Sequence, residues 1–189
     1  MIGGVICYPE KDVSEIKKLF DSRYNLYKDC YNHRVTQSFE CLLLDILNSA
    51  TGLCDWLTAI RNPDLYLALD DTILHRIRLS EEPELEEARN LLARFDSRRH
   101  YSFVGEKVVN KELKVTESDV CKFGLLQPSD IVVRLYSVNM GMKDKNPLAN
   151  VSFYKMENNK ATLVTKELRE ISSMMPERVQ STTLRCFVK

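Results

Sequence analysis

Glycine and histidine are scarce in this chain of 189 residues, which contains six glycines and three histidines. Glycine-rich phosphate loops need closely spaced glycines, and the patterns Gly-x-x-x-x-Gly-Lys, Gly-x-Gly-x-x-Gly and Gly-x-Ser-x-Gly do not occur. A hydrolytic metal site needs several converging ligands, and the sequence has neither a His-Asp pair nor a His-x-x-x-His pair. From these motifs we expect no complete metal site and no self-sufficient enzyme.

Paired cysteines and long apolar runs are also missing. The six cysteines form no Cys-x-x-Cys pair, whereas a zinc ribbon needs paired ligands and a secreted disulfide scaffold is denser in cysteine. No stretch approaches the roughly 18 apolar residues of a membrane span, and the first residues lack the basic segment of a signal peptide. We therefore expect reduced thiols, no membrane partner and an intracellular protein, nuclear or cytoplasmic.

The chain has no excess of basic residues, because 27 lysines and arginines balance 27 aspartates and glutamates. A general nucleic-acid binder usually carries a basic excess that neutralises phosphates. Nucleic acid is therefore a disfavoured partner, although a local basic site stays possible. Hydrophobic residues make up 44% of the chain, which is enough for a folded core.

Residues 11 to about 100 carry apolar side chains at helical spacing. The first stripe runs from Val13 to Tyr31, and a second helix ends near Gly52. A third helix is predicted from Asn62-Pro63, where proline suits the first turn, through Ile77. A fourth is predicted from Ser80 through Phe95.

Beyond Tyr101 the pattern changes to short segments rich in β-branched residues. Strands are predicted at 101–105, 130–138, 151–156, 161–164 and 182–188, and Asn158-Asn159 indicates a hairpin turn. Thr165 is predicted to cap a short helix through Met174. The order of elements favours an α+β fold with a helical portion at 1–100 and a mixed β/α lobe at 101–189.

Arg23 interrupts the apolar stripe of the first predicted helix. A buried guanidinium without an anion costs several kcal/mol, so something negative should meet it. One interpretation is an ion pair with a core carboxylate such as Asp45, or a side chain that reaches water. The other is a phosphate ligand, because the planar guanidinium pairs well with phosphate oxygens. In that case Tyr27 and Tyr31 could add flat surface and a hydroxyl.

Two further segments concentrate polar and basic groups, Tyr31-Asn32-His33-Arg34-Val35 and Arg98-Arg99-His100. Such segments are usually solvated surface, although clustered arginines also bind polyphosphates. The first of these segments, together with Leu19-Phe20-x-x-Arg23-x-x-Leu26 and Asp45, resembles the SAM-and-HD-domain deoxynucleoside triphosphate triphosphohydrolases. Later blocks that carry the resemblance are Arg98-x-x-Tyr101-x-Phe103-Val104-Gly105-Glu106, Gly141-Met142-Lys143-Asp144-Lys145-Asn146-Pro147 and Val151-Ser152-Phe153-Tyr154. These blocks keep their order and nearly their spacing over almost the whole chain.

The resemblance implies cleavage of a deoxynucleoside triphosphate (dNTP) to the deoxynucleoside and triphosphate. Arg23 would bind the substrate phosphates, Tyr31 would pack on the deoxyribose, and Asn32 would contact the sugar 3′-hydroxyl. An allosteric site for GTP or dNTP activators would contain Lys11, His33, Arg34, Val35 and Arg98. Because activators at inter-subunit sites drive assembly in this family, a homo-oligomer or pairing with a full-length relative is expected.

The resemblance covers the later part of such an enzyme, the end of the HD-type all-α domain and its C-terminal lobe. The divalent metal of the family, zinc, iron or magnesium, would bind upstream, so we expect this chain alone to lack metal and activity. The alternative is a non-catalytic paralogue that acts as a regulatory or protein-interaction module. Activator binding should be weakened, because the usual basic or amide residues are replaced by Pro9, Glu15, Ser102 and Met156.

Overall fold

A computed structural model describes residues 1–53, 55–110, 113–122, 124–164 and 179–189. The helices are α1 (Val13–Leu26), α2 (Arg34–Ser49), α3 (Trp56–Arg61), α4 (Pro63–Leu67), α5 (Thr72–Leu79), α6 (Glu86–Asp96) and α7 (Glu117–Cys121). The strands are β1 (Cys7–Pro9), β2 (Ser102–Val109), β3 (Ile131–Asn139), β4 (Ser152–Glu157), β5 (Lys160–Val164) and β6 (Gln180–Val188). A helical first part followed by a small lobe with sheets confirms the predicted α+β class.

The chain folds into two compact units, each assembled from three segments. The first comprises Met1–His33, Glu106–Lys114 and Arg134–Leu184, and the second comprises Arg34–Gly105, Val115–Val133 and Arg185–Lys189. The division of the chain into residues 1–100 and 101–189 stays a prediction. None of the helices in the described ranges is long and apolar enough to cross a membrane.

The hydrophobic core of the second unit lies where α2 packs on α6. Its buried side chains include Leu42 and Ile46 from α2, Ile77 from α5 and Leu92 from α6. These residues recur at helical spacing, which is why the apolar pattern of the sequence locates this core. Tyr101, with 1% of its surface exposed, closes the cluster beside the start of β2.

In the described ranges the strands form two three-stranded sheets, in the orders β1-β4-β5 and β2-β6-β3. The hairpin β4–β5 is confirmed, with Glu157 opposite Lys160. Both residues of its turn have positive φ, 50° at Asn158 and 59° at Asn159, as a two-residue hairpin of this type requires. The strand β1 pairs in parallel with β4, and no periodicity in three residues that include Pro9 could indicate it.

Several features predicted from the sequence differ from the structure, and the fourth predicted helix, for example, begins at Glu86 rather than at Ser80. The helix predicted through Ile77 is two helices, α4 and α5. Between them the side chain of Asp70 accepts a hydrogen bond from the backbone N–H of Thr72 at 3.0 Å, and Asp71 is the N-cap residue of α5. The stripe on α1 is apolar but not buried, since Leu19 is 65% exposed. The strand β2 continues past Gly105 to Val109. The helix predicted from Thr165 to Met174 lies outside the described residues.

Candidate functional site

The end of α1 changes its hydrogen-bond pattern at the segment that the sequence singles out. After Leu26, one π-helical turn covers Tyr27–Tyr31. The backbone N–H of Asn32 donates to the carbonyl of Tyr27 at 2.9 Å, five residues back. Single π-helical turns inside helices occur often at functional sites. This turn brings Asn32 back toward the residue that begins it.

Tyr27 contacts all three residues that are predicted to bind substrate. The guanidinium carbon of Arg23 lies 4.4 Å from the centroid of the Tyr27 ring, within the range of a cation–π interaction. The ring of Tyr31 lies 5.1 Å from the same ring, between centroids. The side-chain amide of Asn32 donates to the Tyr27 carbonyl at 2.8 Å. The structure thus brings Arg23, Tyr31 and Asn32 together around one tyrosine.

A loop far away in the sequence holds Arg23 from a second direction. Nη1 of Arg23 donates to the carbonyl of Asn139 at 2.9 Å. A Cβ atom on Gly141 would lie 3.9 Å from Nε of Arg23, and its φ of 122° favours glycine. The side chain of Asn139 accepts hydrogen bonds from the N–H groups of Gly141 and Lys143, which fixes this loop. The guanidinium therefore sits against an aromatic ring and a main-chain carbonyl.

The interpretation of Asp45 as the ion-pair partner of Arg23 is wrong. Asp45 accepts a hydrogen bond from the Tyr101 hydroxyl at 2.6 Å and pairs with Nζ of Lys189 at 2.7 Å. None of the ion pairs within the described ranges includes Arg23. Because a guanidinium has five N–H donors and the Asn139 carbonyl takes one, Arg23 keeps its charge and donors for an anion. The neighbouring rings are open to solvent, with Tyr27 41% and Tyr31 59% exposed.

Burial and a hydrogen bond shift the acidity of Tyr101 in the second unit. Its ring is enclosed by the core, and its hydroxyl donates to the Asp45 carboxylate. Desolvation, and next the hydrogen bond to Asp45, raise the pKa of Tyr101 well above its ordinary value. This polar group in the core was missed from the sequence, because nothing local links Asp45 to a tyrosine 56 residues later.

The predicted activator residues are distributed over both units. Lys11 lies in a 3₁₀ turn over Glu10–Asp12, and His33 donates its backbone N–H to the Cys30 carbonyl at 3.2 Å. These two residues belong to the first unit, whereas Arg34, Val35 and Arg98 belong to the second. Their assignment to a nucleotide site stays a prediction.

Within the second unit, Arg34 and Arg98 have different environments. The guanidinium carbon of Arg34 lies 5.5 Å from the centroid of the Phe103 ring. Arg98 follows α6 with a positive φ of 57°, and its backbone N–H donates to the Phe95 carbonyl at 3.1 Å. A non-glycine residue in this conformation is uncommon and often marks a constrained turn. The turn sets the direction in which the Arg98 side chain leaves α6.

The prediction that the family's divalent metal binds upstream of this chain stays a prediction. In the part of the chain that the structure describes, no three histidine, cysteine, aspartate or glutamate side chains are grouped so as to hold a metal ion. No chemical step is therefore assigned to a metal bound by these residues.

Comparisons with known proteins point to one family. The chain is 30% identical over 197 residues to a deoxynucleoside triphosphate triphosphohydrolase SAMHD1 homolog of Dictyostelium discoideum, with 100% of the chain and 38% of that relative covered. It is 29% identical to the SAMHD1 triphosphohydrolase of Bos taurus and 26% identical to that of Homo sapiens. These matches cover 97% of the chain but 35% and 33% of the relatives. No protein-family model matches the chain.

The chain thus spans little more than a third of the length of these curated relatives. The matched region nevertheless includes nearly every residue of the chain, in agreement with the ordered blocks seen in the sequence. The comparisons therefore support the SAMHD1 family of deoxynucleoside triphosphate triphosphohydrolases as the family that this chain resembles, over one part of its members' length.

Proposed function

We propose that this chain supplies one wall of a dNTP-binding site in a dNTP triphosphohydrolase. The observation that carries the proposal is the contact of Arg23, Tyr31 and Asn32 with the single residue Tyr27. The family resemblance assigns these three residues to the phosphates, the deoxyribose and the 3′-hydroxyl. Their grouping at the end of one helix supports that assignment, because the three parts of a nucleotide are themselves adjacent.

The chemistry of each group suits its part of the ligand. Arg23 is held by a carbonyl and a ring rather than by a carboxylate, so its positive charge is not neutralised by the described residues. A guanidinium in this state binds phosphate oxygens and stabilises the charge that builds up when a triphosphate leaves. The exposed Tyr31 ring offers an apolar face for a sugar, and the Asn32 amide can hydrogen-bond to a hydroxyl.

We further propose an activator site for GTP or a dNTP in the assembled protein. Its residues would be Lys11, His33, Arg34, Val35 and Arg98, and its occupancy would favour a homo-oligomer or pairing with a longer relative. The exposed Lys11 and Arg98 offer charge to nucleotide phosphates. Met156, which is 57% exposed in β4, offers none where the family has a lysine, so we propose weak activator binding.

The affinity of the chain for dGTP, measured by isothermal titration calorimetry, tests the proposed substrate site. Arg23→Ala should raise the dissociation constant about 10- to 100-fold, because a charge-assisted hydrogen bond contributes about 1.5–3 kcal/mol. The matched control is Arg61→Ala, which removes an exposed arginine from the end of α3. This control should leave the dissociation constant unchanged.

The thermal stability of the same variants shows whether Arg23 binds the nucleotide or mainly stabilises the fold. Arg23→Ala leaves no unpaired carboxylate among the described residues, so its unfolding temperature should stay close to that of the unsubstituted chain. An unaltered dissociation constant in Arg23→Ala, or no dGTP binding by the unsubstituted chain, would refute the proposed site. A large drop in the unfolding temperature of Arg23→Ala would show that Arg23 mainly stabilises the fold.

A further inference from the structure

Tyr27 has no substrate role in the family resemblance, yet it joins the residues that do. Its ring faces the guanidinium of Arg23 and the ring of Tyr31. Its carbonyl accepts hydrogen bonds from both the backbone and the side chain of Asn32, at 2.9 and 2.8 Å. Tyr27 therefore contacts each of the three residues that are predicted to bind the nucleotide.

We propose that Tyr27 is a positioning residue of the dNTP site, which orients Arg23 through its ring and Asn32 through its carbonyl. The inference rests on the proposed function, because it needs Arg23 to bind phosphate. It assigns to Tyr27 no direct contact with the nucleotide.

The ring of Tyr27 acts on a long and flexible side chain. An arginine loses considerable rotamer freedom when it binds an anion in one geometry, and this loss weakens binding. The ring at 4.4 Å and the Asn139 carbonyl at 2.9 Å restrict the Arg23 guanidinium before any ligand arrives. Less freedom is then lost on binding, so the affinity for phosphate is higher.

The π-helical turn supplies the second half of the arrangement. In a continued α-helix, the carbonyl of Tyr27 would accept the N–H of Tyr31, four residues on. The π-helical turn over Tyr27–Tyr31 moves this hydrogen bond to Asn32, five residues on. The side-chain amide of Asn32 donates to the same carbonyl. Asn32 is therefore bonded to Tyr27, whose ring contacts Arg23. The residues predicted to contact phosphate and sugar are thereby linked through Tyr27.

Substitution of the ring tests the proposal without removing the carbonyl. Tyr27→Leu removes the aromatic face, whereas Tyr27→Phe keeps it and removes only a hydroxyl. A cation–π contact of ordinary strength predicts that Tyr27→Leu raises the dissociation constant for dGTP about 3- to 30-fold. The dissociation constant of Tyr27→Phe for dGTP should equal that of the unsubstituted chain. The same pattern should appear with inorganic tripolyphosphate as the ligand, because the effect passes through Arg23.

A double substitution distinguishes positioning from direct contact. In the Arg23→Ala background, Tyr27→Leu should cause no further loss of dGTP affinity, since the group that it orients is gone. A further loss of the full size would show that the ring of Tyr27 acts on binding other than through Arg23 and would overturn the proposal. Equal affinities of Tyr27→Leu and the unsubstituted chain would overturn it too.

The outcome of Arg23→Ala alone keeps the two proposals apart. If Arg23→Ala binds dGTP normally, the proposed function fails, and the role of Tyr27 fails with it. If Arg23→Ala weakens binding but Tyr27→Leu does not, the function stands and only the positioning role is refuted. Circular dichroism checks that Tyr27→Leu is folded, and Tyr27→Met provides a second variant without an aromatic face.

Discussion

Arg23 shows how a charged residue on an apolar helix face can remain available for a ligand. Its partners within the described ranges are a carbonyl and an aromatic ring, neither of which cancels its charge. The sequence alone identifies Arg23 as unusual, because its charge lies among the apolar residues Leu19, Phe20 and Leu26. It could not supply the answer, because Asn139 is 116 residues away and contributes only its main chain.

Tyr101 gives a pH-dependent prediction at the residue scale. Its pKa is raised in the folded state, chiefly by burial and then by the hydrogen bond to Asp45. The stability that it contributes is therefore complete below the ordinary tyrosine pKa of about 10 and is lost as the pH rises beyond it. We expect the free energy of unfolding to fall between about pH 9.5 and pH 11, and Tyr101→Phe to remove part of this fall.

The measurement is chemical denaturation across this range of pH. Tyr66→Phe serves as the matched control, because Tyr66 is 59% exposed. At neutral pH, Tyr101→Phe should cost about 1–2 kcal/mol, since the Asp45 carboxylate loses a hydrogen bond but keeps Lys189. A pH profile of Tyr101→Phe that matches that of the unsubstituted chain would contradict the account.

At the scale of elements, helix and strand boundaries are predicted best where residues next to each other in the sequence determine them. Asn62 caps α4 by accepting from the N–H groups of Asp64 and Leu65, and Pro63 occupies the first turn, as the sequence indicated. The break between α4 and α5 was missed because an apolar residue at every fourth position continues across it. There the side chain of Asp70 competes for backbone N–H groups, an effect that periodicity does not register.

The turn of the hairpin β4–β5 gives a prediction for Asn159. This residue has a φ of 59°, which β-branched side chains tolerate poorly and glycine adopts freely. Asn159→Val should destabilise the chain by about 1–2 kcal/mol, whereas Asn159→Gly should be neutral or slightly stabilising. Thermal unfolding of the two variants measures the difference. Equal unfolding temperatures would show that the turn is not the one described.

At the scale of the whole molecule, a helical part followed by a part with strands was predictable, but the way in which the elements combine was not. The α2–α6 core follows from helical periodicity, which each element carries in its own sequence. The pairing of β1 with β4 joins distant segments of the chain, with Cys7 opposite Ser152. Each compact unit likewise collects three separated segments, and no local signal predicts such a grouping.

In the candidate site too, some features could be predicted from the sequence and others could not. The residues Arg23, Tyr31 and Asn32 could be named from the sequence, because they lie within ten residues, about two helical turns apart. The π-helical turn that brings them to Tyr27 could not, since no pattern of apolar residues distinguishes it from an α-helix. The family resemblance supplied the roles, and the structure adds the geometry around Tyr27.

The central claim, that Arg23 binds phosphate, is tested most directly by nuclear magnetic resonance of arginine side chains. The Nε–H signal of Arg23, assigned by its loss in Arg23→Lys, is followed while tripolyphosphate is added. In the unsubstituted chain, the account predicts a saturable shift of the Arg23 signal while the Arg61 signal stays in place. In the Arg61→Ala variant, the Arg23 signal should shift with the same dissociation constant. An Arg23 signal that does not move while tripolyphosphate binds, or an equal shift of the Arg61 signal, would contradict it.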